Sequence, residues 1–259
     1  MMRNIKLIVE YDGTNYKGWQ DQQSAHHSER KGKRPEAQNT LLTIQGILRE
    51  AIGRITHEDI KLTGAGRTDS GVHAQGQVAN FYTVSDFTIE RFPLAINAYL
   101  PYDIAVKCAE EVPLEFNARN DAKAREYLYV INNHKFRTAL KRLYSFHVPP
   151  KLDIQAMQQA AGYLIGEHDF TGFAFGNKGK RTRNIMKLEI KKKDDFLYIT
   201  VKANSFLMHM VRYIVAALLE AGKRKMKPED IKLYLEPALR KWTHSRAPAR
   251  GLFLMKVEY

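Results

Sequence analysis

The sequence predicts an α+β protein made of two βαββαβ units with antiparallel sheet content. Three observations predict it. Short alternating or β-branched runs are separated by apolar positions at helical spacing. Strand, helix, strand, strand, helix, strand occurs twice in that order. The chain has 259 residues, 44% hydrophobic and 27% charged, which suits one large or two modest domains. One mixed sheet in a single domain is the alternative arrangement.

Each element has its own signal. Ile5-Lys6-Leu7-Ile8-Val9-Glu10-Tyr11 alternates loosely and reads as a strand. Ile44, Ile47, Leu48 and Ile52 form the apolar face of a helix over 43–52. Strand candidates follow at 61–63 and 77–84, then a helix over 88–99 and a strand over 104–108. The second half opens with a strand over 126–132. A helix over 153–165 follows, with Asp153 as its N-cap. Strands over 185–191 and 196–202 are joined by Asp194-Asp195. A helix over 207–221 is stopped by Gly222, in keeping with the C-terminal preference for glycine. A further helix over 228–235 precedes a last strand over 252–257. Each half thus has the ferredoxin-like order. The junction falls near 112–119, which gives an N-terminal domain over 1–113 and a C-terminal domain over 114–259.

Residues 22–39 break the pattern. The stretch QQSAHHSERKGKRPEAQN is polar, basic and almost free of large apolar side chains, so it cannot bury itself. It reads as a long surface loop.

Lys and Arg number 41 against 28 Asp and Glu, a formal net charge of +13. Such an excess favours polyanionic partners, because cations at phosphates release counterions. The 13 Tyr and 12 Phe add rings that can stack on exposed bases, although most will be core. Cys108 is the only cysteine, so no disulfide forms within the chain, which fits a reducing cytoplasm. No apolar run reaches the ~18 residues needed to span a bilayer. The N-terminus lacks the apolar stretch of a signal peptide.

The most informative motif is Gly64-Ala65-Gly66-Arg67-Thr68-Asp69-Ser70-Gly71-Val72-His73-Ala74. It places one carboxylate among small residues, where a bulky partner can approach. Arg67 can favour the ionised form of Asp69, and an oriented, ionised carboxylate suits nucleophilic or electrostatic catalysis. On residue types alone, a tight turn in which Asp69 bonds its own backbone is the favoured explanation of the motif.

Other motifs accompany it in a fixed order. Tyr11-Asp12-Gly13-Thr14-Asn15-Tyr16-Lys17-Gly18-Trp19-Gln20 follows the first strand. Asn97-Ala98-Tyr99-Leu100-Pro101, Arg125-Glu126-Tyr127-Leu128-Tyr129 and Gly166-Glu167-His168-Asp169-Phe170 come later. Ala203 to Arg212, reading ANSFLMHMVR, and Ala247-Pro248-Ala249-Arg250-Gly251-Leu252 complete the series. Together these closely resemble the tRNA pseudouridine synthase A family over nearly the whole chain. The resemblance implies the pseudouridine synthase fold, with a basic RNA-binding cleft between two ferredoxin-like units. It implies isomerisation of uridine to pseudouridine in the anticodon stem-loop of tRNA, at positions conventionally numbered 38 to 40. It also implies a homodimer that needs no cofactor and no metal.

The same resemblance suggests roles residue by residue. Asp69 would be the catalytic aspartate, with Arg67 contributing to its electrostatic setting and to handling the flipped nucleotide. Tyr127 would stack on the target uracil and help remove the C5 proton. Arg212 would pair with Asp69, and Leu252 would wall the base. His73 completes the candidate substrate-binding positions, through its support of the loop that carries Asp69. Trp19 reads as a structural anchor. Two departures stand out. The connection over 22–39 is longer than is usual in the family, and Phe116-Asn117-Ala118-Arg119 has Asn117 where the family often has histidine. Two rival functions remain at this point: an RNA-binding module with a dead site, and a related synthase acting on other uridines.

Overall fold

In the computed structural model, which describes residues 1–21, 43–175, 181–236 and 242–259, the first strand lies where the alternation placed it. The loop read over 22–39 lies outside the described residues. The chain divides into two units, Met1–Asp121 and Ala122–Tyr259.

The first unit runs β1 (Arg3–Tyr11), α1 (Ile44–Thr56), β2 (Thr63–Gly64), β3 (His73–Thr83), a 3₁₀ turn, α2 (Phe92–Asn97) and β4 (Ile104–Val112). Its sheet order is β4-β1-β3-β2, and each neighbouring pair is antiparallel. Ile5, Leu7 and Val9 alternate along β1 and are all fully buried. α1 starts at Thr43, whose Oγ1 accepts from the Gly46 N–H at 3.3 Å. It buries Ile44, Leu48 and Ile52, the spacing of one helical face. α2 is shorter than the expected helix over 88–99. A 3₁₀ turn (Ile89–Arg91) precedes Pro93, and the Asn97 side chain leaves the helix to bond the Val106 N–H and carbonyl at 2.7 and 3.0 Å. On the other side, Phe92 packs edge-on against Phe81 of β3, ring centres 5.9 Å apart.

One buried polar pair ties residues 113–118 to this sheet. Asn4 is fully buried; its Nδ2 donates to the Pro113 and Phe116 carbonyls at 2.9 Å, and its Oδ1 accepts from Asn80 Nδ2 at 2.9 Å. Asn80 Oδ1 in turn accepts from the Ala118 N–H at 2.9 Å. Burial of these amides is tolerable because they are bonded. Asn117 makes a local turn: its Oδ1 accepts from the Arg119 and Asn120 N–H groups at 3.0 and 3.1 Å.

The second unit runs β5 (Ala124–Asn132), β6 (Phe146–His147), α3 (Ile154–Gly162), β7 (Gly166–Asp169), β8 (Thr182–Lys193), β9 (Phe196–Ala203), α4 (Met210–Gly222) and β10 (Leu252–Glu258). Its order is β10-β5-β9-β8-β7, with β6 added in parallel on β5. Without β6 and β7, both units place their strands in one order: last, first, third, second. β6 and β7 were not expected; two and four residues are too short for a periodicity signal.

Asp153 caps α3 as expected, its Oδ1 accepting from the Ala156 N–H at 3.0 Å. That bond first, and the Arg224 guanidinium on Oδ2 second, hold its carboxyl below the usual range. α4 differs from expectation at both ends. It begins at Met210 because His209 is left-handed, with φ 63°. It is not stopped by Gly222 but includes it, and the chain turns at Lys223 and Arg224 (φ 56°). A Cβ on Gly222 would lie 2.7 Å from Met157 Cγ and Sδ, so this glycine lets α4 approach α3. The helix expected over 228–235 is a 3₁₀ segment, Pro228–Tyr234.

Candidate active site

In the first unit, the candidate residues lie on the loop between β2 and β3. The loop is held from beneath by the segment that follows β1. The register of β1 on β3 shifts between Val9 and Tyr11, and a shift of this kind re-aims the strand end. Tyr11 is buried, and its hydroxyl lies 2.8 Å from Thr68 Oγ1. The Trp19 N–H donates to the Thr68 carbonyl at 3.1 Å. On the far side of Asp69, Ser70 Oγ donates to the Tyr16 carbonyl at 3.0 Å. The Val72 N–H closes the turn on the Asp69 carbonyl at 3.2 Å.

Two glycines make that support possible. A Cβ on Gly18 (φ +88°) would lie 2.3 Å from the Thr68 carbonyl oxygen and 2.9 Å from the carbonyl carbon of Asp69. A Cβ on Gly13 would lie 1.9 Å from the Val72 oxygen. Backbone packs on backbone at both points, which only glycine permits. The side of Asp69 is therefore fixed by its neighbours while its own side chain stays half-buried.

Arg67 is exposed, and its Nε donates to Gln20 Oε1 at 3.1 Å. His73 is almost fully buried at the start of β3. Its Nδ1 lies 3.0 Å from Asp12 Oδ1 and 3.1 Å from the Gly13 N–H. Thr14 bonds the same carboxylate oxygen through its N–H and its hydroxyl. His73 thus belongs to the support of the loop. Trp19 is fully buried, with Nε1 and Cε2 of its indole lying 2.3 and 2.5 Å from where a Cβ on Gly64 would stand. It anchors the fold and is not open to a base.

In the second unit, Tyr127 lies on β5 and Leu252 on β10. Tyr127 stands opposite Leu254, and Tyr129 opposite Leu252. Directly opposed and alternate residues share a face of a sheet, so these four side chains lie together. The register shifts between Leu254 and Lys256, one bulge beside the Tyr127 pair. The Phe206 ring meets Tyr127 edge-on at 5.1 Å. Arg212 sits in the first turn of α4 and is buried. Its Nε donates to the Ala247 carbonyl at 2.7 Å, and the Ala247 N–H donates back to the Arg212 carbonyl at 3.1 Å. This reciprocal pair ties α4 to the segment leading into Leu252. Burial pushes the Tyr129 phenol well above its ordinary range, opposed by the positive charges of Arg212 and Arg250. Its hydroxyl donates to the Pro248 carbonyl at 2.8 Å.

A family profile described as tRNA pseudouridine synthase matches residues 7–121 and 160–259. The chain belongs to the tRNA pseudouridine synthase family. It is 43% identical to "tRNA pseudouridine synthase A" of Caldicellulosiruptor saccharolyticus over 260 aligned residues, covering all of both chains. The protein of the same name from Acetivibrio thermocellus is 42% identical, again over all of both chains. Among solved structures, "Crystal structure of the archaeal box H/ACA sRNP Nop10-Cbf5 complex" matches with TM-score 0.33 and 15% identity. That match covers 68% of this chain and 38% of the other. Membership in this family makes the protein an isomerase acting on tRNA. Both pieces of the profile match contain candidate residues: Arg67, Asp69 and His73 in the first, Arg212 and Leu252 in the second. Tyr127 falls between them.

Several residues with structural roles at the site went unassigned by sequence reasoning. Gly13 and Gly18 admit the loop backbone, Asp12 holds His73, and Phe206 faces Tyr127. All lie inside motifs visible in the sequence. Their roles depend on which backbone atoms they meet, and no spacing rule reports that. Among the described residues, no group of three or more His, Cys, Asp or Glu could hold a metal ion, and no helix is long and apolar enough to cross a membrane.

Proposed function

We propose that this tRNA pseudouridine synthase isomerises uridines at positions 38 to 40 of the anticodon stem-loop, with Asp69 as its catalytic carboxylate. The supporting observation is the construction of the Asp69 loop. Thr68 and Ser70 on either side are pinned to a buried frame, while the Asp69 side chain remains half-buried. Catalysis requires a group held within fractions of an ångström, and a loop pinned on both sides supplies that.

The reaction breaks the C1′–N1 bond, rotates the uracil and joins C1′ to C5. N1 gains a proton and C5 loses one, so no redox or hydrolysis occurs. The target base must first leave the stack, at a cost of a few kcal/mol. In this reading Tyr127 replaces part of the lost stacking, worth about 1–3 kcal/mol per base. Leu252 gives the base an apolar wall. Arg212 supplies the counter-charge of Asp69, and Arg67 contributes to the charge around it and to holding the flipped nucleotide. His73 acts as a positioning residue. Asp69 serves as nucleophile toward C1′ or the uracil ring, or as base toward the sugar. The reading includes action as a homodimer.

The decisive experiment incubates purified protein with an unmodified tRNA transcript carrying uridines at 38 to 40. Carbodiimide labelling and primer extension then map pseudouridine. Stops at those positions are expected; stops at other uridines would overturn the site assignment. Tight binding with no stops would favour the binding-only rival. Tyr127→Phe separates the hydroxyl from the ring in the same assay. We expect near-normal tRNA binding and a turnover lowered about 10²-fold, the size of a lost proton-transfer partner. Unchanged turnover would remove the hydroxyl from the mechanism and leave stacking.

A further inference from the structure

From Tyr127 to Leu152 the chain contains no acidic residue. The connection from β5 to β6 carries Lys135, Arg137, Lys141 and Arg142, all exposed. None of these four makes an ion pair among the described residues. Elsewhere in the second unit some lysines pair with carboxylates, Lys187 and Lys191 with Glu189 and Lys256 with Glu258, while the exposed Lys192, Lys193, Lys225 and Lys227 make no ion pair among the described residues. The connection stands out by carrying four such cations within eight residues, in a stretch of chain without any carboxylate.

That connection is built rather than loose. The Asn133 N–H donates to the Asp195 carbonyl at 2.8 Å, and Asn133 Nδ2 donates to the Val148 and Pro150 carbonyls at 2.7 and 2.8 Å. Ser145 Oγ donates to the Lys141 carbonyl at 2.8 Å, and Arg142 Nη1 to the Ala139 carbonyl at 3.1 Å. On this frame Phe136 is 66% exposed, a large ring offered to solvent. Lys135 Nζ lies 5.4 Å from its centre.

We propose that residues 133–145 form a second RNA-contact surface, which grips the sugar–phosphate backbone of the tRNA away from the target uridine. The proposal rests on the tRNA reading above and adds a place of contact to it. Four exposed cations that make no ion pair among the described residues match a row of phosphates, and each contact releases counterions. An exposed ring among cations suits nucleic acid, where a sugar or unstacked base can lie on it. A second copy of this chain fits poorly, because a two-fold contact would set like charges against each other. The acidic pair Asp194-Asp195 at the β8–β9 turn, whose Asp195 carbonyl takes the Asn133 N–H, directly follows Lys192-Lys193, which balance its charge.

The test compares the wild type with a K135A/R137A/K141A/R142A variant of the full chain, using unmodified tRNA transcript. Binding is measured across a salt series, beside turnover at saturating RNA. We expect the slope of log Kd against log salt to shrink by about 3. Affinity at low salt should fall at least tenfold, with turnover at saturation unchanged. An R137K/R142K variant, which keeps the charge, should retain the slope, and Phe136→Ala should weaken binding without altering it. An unchanged slope in the quadruple variant overturns the proposal. So does an unchanged slope with a changed mass in sedimentation, which would assign the surface to contact between copies. If the wild type forms no pseudouridine yet the slope still shrinks, the positional reading fails and the RNA surface stands.

Discussion

Asp69→Asn is expected to bind tRNA like the wild type and to lose at least about four orders of magnitude in turnover. Removal of a single member of a catalytic group commonly costs that much. The substitution keeps the shape of the side chain and removes its charge. The loop itself depends on the Thr68 hydroxyl, the Ser70 hydroxyl and main-chain groups, none of which the substitution touches. Thermal stability should therefore change little. Single-turnover assays with the transcript saturated by protein separate chemistry from binding. Pseudouridine formation within tenfold of the wild-type rate would sink the assignment of Asp69.

The second large effect concerns a residue without side-chain chemistry. Gly18→Ala places a Cβ at φ +88°, in a region that costs an L-residue about 1–2 kcal/mol. That Cβ would also stand 2.3 Å from the Thr68 carbonyl oxygen and 2.9 Å from the Asp69 carbonyl carbon. Neither atom can swing aside, since both are backbone. The loop must therefore shift by the better part of an ångström, enough to cost about 10²-fold in rate. We expect a stability loss of about 2–3 kcal/mol by denaturant titration, from strain added to the αL cost. Gly66→Ala on the same loop is the control. Nothing lies within 4 Å of its Cβ position, and its φ is not in the left-handed region, so activity and stability should stay near wild type. Equal damage from both substitutions would mean that the loop is sensitive to any Cβ, not to the contact with Gly18.

The two expectations differ in how visible they were. Asp69 stands out in the sequence because a lone carboxylate among small residues needs a reason. Gly18 sits in a motif that can be quoted but not interpreted, because what makes it necessary is the Thr68–Asp69 backbone about fifty residues away. The same division runs through the fold. β1, β9 and β10 were legible because alternation places one side of each strand in a core. α1 was legible from helical spacing and α3 from Asp153 at its start. Gly222 was misread as a helix stop because local preference favours glycine there. The approach of Met157 puts it inside the helix instead.

By itself the sequence determined the strand and helix order of both units, the surplus of positive charge, and the motifs that carry Asp69, Tyr127 and Arg212. These follow from local periodicity and residue type, which act over a few neighbours. Tertiary structure alone decided that Thr68 and Ser70 are held from beneath and that His73 faces Asp12. It alone decided that Arg212 bonds the segment before Leu252. Each of those facts joins residues far apart in the chain, and chain separation carries no information about distance until packing has closed it.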